Sequence, residues 1–75
     1  MAKRNVAFSV DKDFLDELKT RLGIRRASKM ARLAFTLLDW ATIESRNGRI
    51  ILSSNPKGEI IRRLKMSELE AIRPR

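Results

Sequence analysis

The stretch that decides the fold of this chain lies near its beginning and reads Lys3-Arg4-Asn5-Val6-Ala7-Phe8-Ser9-Val10. Apolar side chains stand at every second position, Val6, Phe8 and Val10, and small or polar ones fill the alternate positions, Asn5, Ala7 and Ser9. A period of two predicts a β-strand with one face directed to a core and the other outward. A lone strand leaves its backbone N–H and C=O groups unpaired, so we expect residues 3–10 to pair with the same strand of a second copy.

A helix is predicted directly after this strand, over residues 12–22. Asp11 is a favourable N-cap, and the acidic residues that follow it suit the positive end of a helix dipole. Gly23 is a natural stop, because glycine readily adopts the left-handed backbone that ends many helices. The two signals bracket a run whose apolar residues have helical spacing, Phe14, Leu15, Leu18 and Leu22.

A second helix is predicted over about residues 26–46, and Asn47-Gly48 ends it. Its apolar stripe contains Met30, Leu33, Ala34, Leu37, Trp40 and Ala41, and it is widened by Phe35, Leu38 and Thr42. A helix that is apolar over so much of its girth is covered on more than one side. In so short a chain we expect a second subunit to supply the cover, with a dimer core built from Val6, Phe8, Val10, Met30, Leu33, Leu37 and Trp40.

The remaining residues read as an ordered extension. Two runs rich in isoleucine flank the turn signal Asn55-Pro56-Lys57-Gly58, which predicts a β-hairpin. A short helix within residues 59–72 is the alternative. The predicted fold class is therefore mainly α with a short β-strand, an α+β fold, with a domain of residues 1–46 and a C-terminal extension of residues 47–75.

Composition narrows the classes of partner and chemistry. The 75 residues include 17 Lys or Arg against 9 Asp or Glu, a net charge of +8, and neither Cys nor His. Such a charge favours a polyanionic partner. Without Cys or His there is neither a disulfide nor the usual zinc ligand, so we expect no cofactor and expect self-association to stabilise the fold. No apolar run reaches the length of a membrane span and no signal peptide is evident, so we predict a cytoplasmic protein without a membrane partner.

An enzyme is not expected. His, Cys and Tyr are all absent, so the usual general base and the strongest nucleophile are missing. The acidic residues at 11, 13, 16 and 17 are typical of a helix start, and the chain has no glycine-rich phosphate loop. A nuclease that uses only carboxylates is the remaining enzymatic alternative.

In this order of elements the chain resembles the ribbon-helix-helix repressors, which include the Arc-like, MetJ-like and CopG-like proteins. The resemblance covers about residues 4–42 and rests on the strand, on Phe14-Leu15 with Leu18, and on Gly23, Ile24 and Met30 in their family spacing. It implies an intertwined homodimer in which two copies of the strand form an antiparallel ribbon. Such a ribbon fits the major groove of B-DNA.

The resemblance also implies functional positions. It places Asn5, Ala7 and Ser9 at the base-reading positions of the ribbon, and the start of the second helix against the DNA phosphates. Arg25 stands where the family usually has a Ser or Thr cap, and Ser28 comes slightly later. The residues predicted to contact phosphate are basic apart from one serine: Lys3, Arg4, Arg25, Arg26, Ser28 and Lys29.

The function predicted is that of a homodimeric, sequence-specific transcription regulator, a repressor that binds double-stranded DNA and assembles further on it. One alternative is an antitoxin that also regulates its own operon, with a protein partner bound through residues 48–75. A second is a protein-interaction module whose basic surface is incidental, and a third is non-specific RNA binding.

Overall fold

The computed structural model describes residues 5–74, and in that range it contains three α-helices and one two-stranded antiparallel sheet, an α+β fold. The helices are α1 (Lys12–Leu22), α2 (Ala27–Arg46) and α3 (Ser67–Ile72), and the strands are β1 (Leu52–Ser54) and β2 (Ile61–Arg63). Two units are distinguished, one ending at Arg32 and one beginning at Leu33, so that α2 contributes residues to both.

Helix α1 has the bounds predicted from the sequence, and local bonds fix both of its ends. The carboxylate of Asp11 accepts a hydrogen bond from the backbone N–H of Phe14 at 3.0 Å, which is the expected N-cap. At the other end Gly23 adopts a left-handed backbone with φ of 66°. The N–H groups of Gly23 and Ile24 donate to the carbonyls of Thr20 and Lys19 at 3.2 and 2.9 Å, a Schellman motif.

Helix α2 begins one residue later than predicted and ends at the predicted place. Gly48 has φ of 81°, and its N–H donates to the carbonyl of Ser45 at 3.0 Å while that of Arg49 donates to Glu44 at 2.9 Å. The same type of glycine stop therefore closes both long helices. The side chain of Arg49 reinforces this stop with an ion pair to Glu44 at 2.7 Å.

The strand predicted over residues 3–10 is not formed in the single chain, where residues 5–10 are neither helix nor strand, and its pairing with a second copy stays a prediction. Lys3 and Arg4 lie outside the described residues. The physical reason is that a strand is defined by hydrogen bonds to a neighbouring strand, and the sheet in residues 5–74 pairs β1 only with β2. The alternation of apolar and polar residues predicts which side chains share a face of a strand, but it does not identify the neighbouring strand that would pair with it.

Residues 47–74 form a two-stranded antiparallel sheet followed by a short helix. In the two-stranded sheet Leu52 lies opposite Arg63, Ser53 opposite Arg62 and Ser54 opposite Ile61. The sheet is shorter than the isoleucine-rich runs suggest, and the chain turns into α3 after Met66. The helical alternative for residues 59–72 is therefore correct for the end of that range and wrong for its beginning.

Each unit has a small buried core. In the first unit Met30 is 5% exposed, and in the second Ala41, Ser45 and Leu69 are buried. Most large apolar side chains of the described residues keep more than a third of their surface in contact with solvent. None of the helices in residues 5–74 combines the length and the apolar character that crossing a membrane requires.

Candidate nucleic-acid interface

The connection between α1 and α2 is the candidate interface, and its shape follows from Gly23. The left-handed residue and the two hydrogen bonds behind it end α1 at Leu22, and α2 begins at Ala27. No heavy atom would come within 4 Å of a Cβ added at Gly23, so its requirement for glycine comes from the backbone angle alone. The turn thereby brings the basic end of α1 and the basic start of α2 close together along the chain.

The start of α2 has open backbone donors. Its first helical bond runs from the N–H of Met30 to the carbonyl of Arg26 at 3.1 Å. The preceding N–H groups have no earlier carbonyl in the helix to reach. Within residues 5–74 the hydroxyl of Ser28 makes no side-chain hydrogen bond, so Ser28 does not cap the helix. The positive end of α2 therefore faces solvent, as an anion-binding helix terminus does.

Basic side chains surround these donors. Arg25, Arg26 and Lys29 are exposed, and no acidic residue occurs between Glu17 and Asp39. The ion pairs within the described residues engage Lys12, Arg49, Arg63 and Arg73, and none of the residues of the turn. Further basic residues of the same stretch are Lys19, Arg21 and Arg32. An anion at this turn would meet several cations, none of which forms an ion pair within residues 5–74.

One ion pair lies beside the turn, on α1. The ammonium of Lys12 donates to the Asp16 carboxylate at 2.7 Å, one helical turn apart. This hydrogen bond, followed by the attraction of the two charges, lowers the pKa of Asp16 from its ordinary value and raises the pKa of Lys12. Lys19 adds a smaller lowering of the Asp16 pKa. The negative charge of Asp16 is therefore largely compensated within its own helix.

The predicted base-reading residues lie on the segment before α1. Asn5, Ala7 and Ser9 are exposed in the single chain. Their predicted core neighbours are exposed as well, with Val6 at 75%, Phe8 at 67% and Val10 at 55%. The two sets of side chains therefore do not differ in burial, and their separation onto two faces remains a prediction.

The residues of α2 that were predicted to form the dimer core differ in burial. Met30 is buried in the single chain, whereas Leu33, Leu37 and Trp40 are exposed. Three more large apolar residues of α2 are exposed beyond those predicted, Phe35, Leu38 and Ile43. The helix therefore presents an apolar surface larger than the one described from the sequence.

Lys57 is a basic residue that the choice of candidate residues missed. It follows Pro56 in the loop between β1 and β2, and it is exposed. The signal was present, because the run Asn55-Pro56-Lys57-Gly58 places a lysine inside the turn motif itself.

No family model matches the chain, and neither the curated proteins nor the solved structures searched gave a match to it. In residues 5–74 no three acidic side chains come together in a way that would hold a metal ion.

Proposed function

We propose that the chain is a sequence-specific DNA-binding transcription regulator that works as a homodimer of the ribbon-helix-helix type. The observation that carries the proposal is the alternation of apolar and polar side chains over residues 5–10, together with the exposure of Val6, Phe8 and Val10. In the proposed dimer this segment pairs with the same segment of a second copy. The two segments then form an antiparallel ribbon.

Exposed apolar surface supports the second copy. Removing apolar area from water contributes about 25 cal/mol per Å², so large side chains left exposed on α2 represent stabilisation that a single chain does not obtain. Leu37 is 64% exposed and Trp40 is 48% exposed. A dimer that covers α2 together with Val6, Phe8 and Val10 gains this stabilisation in one association step.

The ribbon reads bases through its polar face. Once Val6, Phe8 and Val10 turn inward, the period of two forces Asn5, Ala7 and Ser9 outward. In the major groove the Asn5 amide pairs with adenine, the Ser9 hydroxyl bonds to more than one base, and the Ala7 methyl touches a thymine methyl. Both copies contribute, so the preferred site is a short inverted repeat.

The turn after α1 anchors the phosphate backbone. The open N–H groups at the start of α2 and the charges of Arg25, Arg26 and Lys29 are the elements that bind a phosphate at a helix terminus. Lys3 and Arg4, which lie outside the described residues, are proposed as further phosphate contacts on the basis of their charge. Such contacts fix the register of the dimer on the duplex and carry no sequence information of their own.

In this proposal the protein binds DNA and does not catalyse a reaction. It acts as a repressor by occupying its site, it associates further along DNA that carries neighbouring sites, and it works in the cytoplasm. The C-terminal residues complete the proposed fold as a β-hairpin followed by α3.

The experiment is selection of duplexes from a random pool by the tagged protein, followed by binding of the selected duplex and a scrambled one across a salt titration. We expect a short inverted repeat to emerge and to bind at least about 1000-fold more tightly than the scrambled duplex. Arg25→Gln should weaken binding to both duplexes by the same factor and make the affinity less dependent on salt concentration. A pool without enrichment, or equal affinity for both duplexes, would contradict sequence-specific regulation.

A further inference from the structure

The C-terminal extension of residues 47–75 carries half of the net charge of the chain. It has seven basic and three acidic residues, a net charge of +4, and residues 1–46 have ten basic and six acidic residues, also +4. The extension is the shorter part, so its charge density is higher. The phosphate anchor proposed above uses none of these residues.

Ion pairs account for only part of this charge. Glu44 engages Arg49, and Glu70 engages both Arg63 and Arg73. The other basic residues of the extension within residues 5–74 are exposed and form no ion pair there: Lys57, Arg62 and Lys65. We call these three the C-terminal basic set. Their charges are available to a partner, and the neighbouring pairs are not.

Arg62, which forms no ion pair within residues 5–74, and Arg63, which pairs with Glu70, are neighbours on strand β2. Arg62 lies opposite Ser53, and the next residue, Arg63, lies opposite Leu52. Successive side chains of a strand point to opposite faces, so Arg62 and Ser53 share one face. The guanidinium of Arg63 donates to both carboxylate oxygens of Glu70, at 2.8 and 3.1 Å. Arg62 is thus displayed beside a hydroxyl on the face away from that ion pair.

The loop that carries Lys57 is held in shape before any partner arrives. The Asn55 side-chain oxygen accepts from the N–H of Glu59 at 2.8 Å, and its backbone carbonyl accepts from Gly58 at 2.9 Å. Gly58 has φ of 74°, which a tight turn requires and which a larger side chain would strain. A fixed loop loses little conformational entropy when its lysine is bound.

We propose that the C-terminal basic set binds phosphodiester groups of the duplex, giving the protein a second phosphate-binding surface. This inference rests on the proposed DNA-binding function. The Arg62 guanidinium offers a fork of donors that matches two phosphate oxygens, and the Ser53 hydroxyl donates beside it. Once the ribbon and the turn hold a duplex, its phosphates are present near the same chain at high effective concentration.

The test compares single-charge variants of the full chain on the selected duplex between 50 and 200 mM salt. Each phosphate contact contributes about 0.9 to the slope of log affinity against log salt, so Arg62→Gln, which acts twice in a dimer, should lower the slope by about 2. The affinity lost across that salt range should then be about 12-fold smaller than for the parent. Lys57→Gln should act in the same direction, and Arg62→Lys should retain most of the slope.

Arg49→Gln is the matched control, because it removes one charge from the same extension at a guanidinium that is already engaged by Glu44. It should leave the slope close to that of the parent, and thermal melts should show that all variants fold. Equal slopes for the parent, Arg62→Gln and Lys57→Gln would overturn the inference and leave the proposed function standing. A parent that binds no duplex would overturn both. Unchanged slopes with lost binding to polyglutamate would assign the surface to an acidic protein and also overturn the inference.

Discussion

The Asp11 carboxylate accepts a hydrogen bond from the Phe14 backbone N–H at 3.0 Å, and this bond fixes where the extended segment ends and helix α1 begins. The position matters for function because the proposed ribbon and the helix are separated by this single residue. A cap that moved by one residue would rotate the start of the helix relative to the ribbon. Asp11 therefore connects the stability of α1 to the register of the proposed base-reading residues.

The first prediction tests this cap. Asp11→Ala should lower the free energy of unfolding by about 1 kcal/mol, because the N–H of Phe14 loses its partner. Asp11→Asn should stay close to the parent, since asparagine caps a helix about as well as aspartate. Urea denaturation at one fixed protein concentration measures both. Equal loss in the two variants would show that the charge of Asp11, and not its capping bond, stabilises the helix.

The second prediction tests the dimer through Leu37. A substitution at an exposed residue changes stability by less than about 0.5 kcal/mol, and Leu37 is 64% exposed in the single chain. If Leu37 lies in a dimer core, Leu37→Ala lowers the free energy of unfolding by about 2–5 kcal/mol. We expect the larger loss, together with a midpoint of thermal unfolding that rises with protein concentration.

Thr36→Ala is the control for Leu37, since Thr36 is an exposed neighbour on the same helix and belongs to no predicted core. It should melt like the parent. A folded protein that sediments as a monomer at micromolar concentration, with a Leu37→Ala variant of unchanged stability, would rule out the proposed dimer.

The third prediction separates base reading from folding within the ribbon. Asn5→Ala should leave the melting temperature nearly unchanged and cost about 1–3 kcal/mol of discrimination at one base pair of each half-site. Phe8→Ala should do the reverse, with a loss of stability of about 3–5 kcal/mol and no specific loss at one base. Thermal melts and a panel of duplexes with single-base changes measure the two effects. An Asn5→Ala protein that ranks the panel as the parent does would contradict base reading by this residue.

The fourth prediction concerns the ion pair of Lys12 and Asp16. The hydrogen bond from Lys12 lowers the pKa of Asp16 in the folded protein, so the pair stabilises the fold above the ordinary aspartate pKa. That stabilisation disappears as the pH falls through the lowered pKa. Asp16→Asn should therefore flatten the decline of the melting temperature in acid, where the parent loses the pair. Asp13→Asn, which removes a carboxylate of the same helix outside this pair, should keep the steeper decline of the parent.

The two long helices could be predicted to within a residue because their signals are local. Asp11 and Gly23 bracket α1, and Asn47-Gly48 closes α2, each through bonds to residues within one or two turns. The segment 5–10 could not be predicted in the same way, since the partner of a strand lies outside the sequence of the strand. The alternation of its residues indicates which side chains would share a face, but it does not indicate which strand the segment would pair with.

Helix α3 shows a different limit. Its residues 67–70 read Ser-Glu-Leu-Glu, a run with the spacing of a capping box, but the preceding isoleucines favoured a strand through Leu64. In the structure the carboxylate of Glu70 receives Arg63 and Arg73 instead of reaching back to its own helix start. That choice depends on where β2 places Arg63, which is a tertiary contact.

The segment before α1, which forms neither helix nor strand over residues 5–10, also has a consequence for the time the proposed dimer needs to assemble. Capped helices such as α1 form in about a microsecond, whereas completion of the proposed ribbon requires two chains to meet. With an association rate of about 10⁶ M⁻¹s⁻¹ and about 10 nM of free chain, that meeting takes on the order of 100 s. Under the proposed function, control of a target would therefore lag behind synthesis of the protein, and the lag would shorten in proportion as chains accumulate.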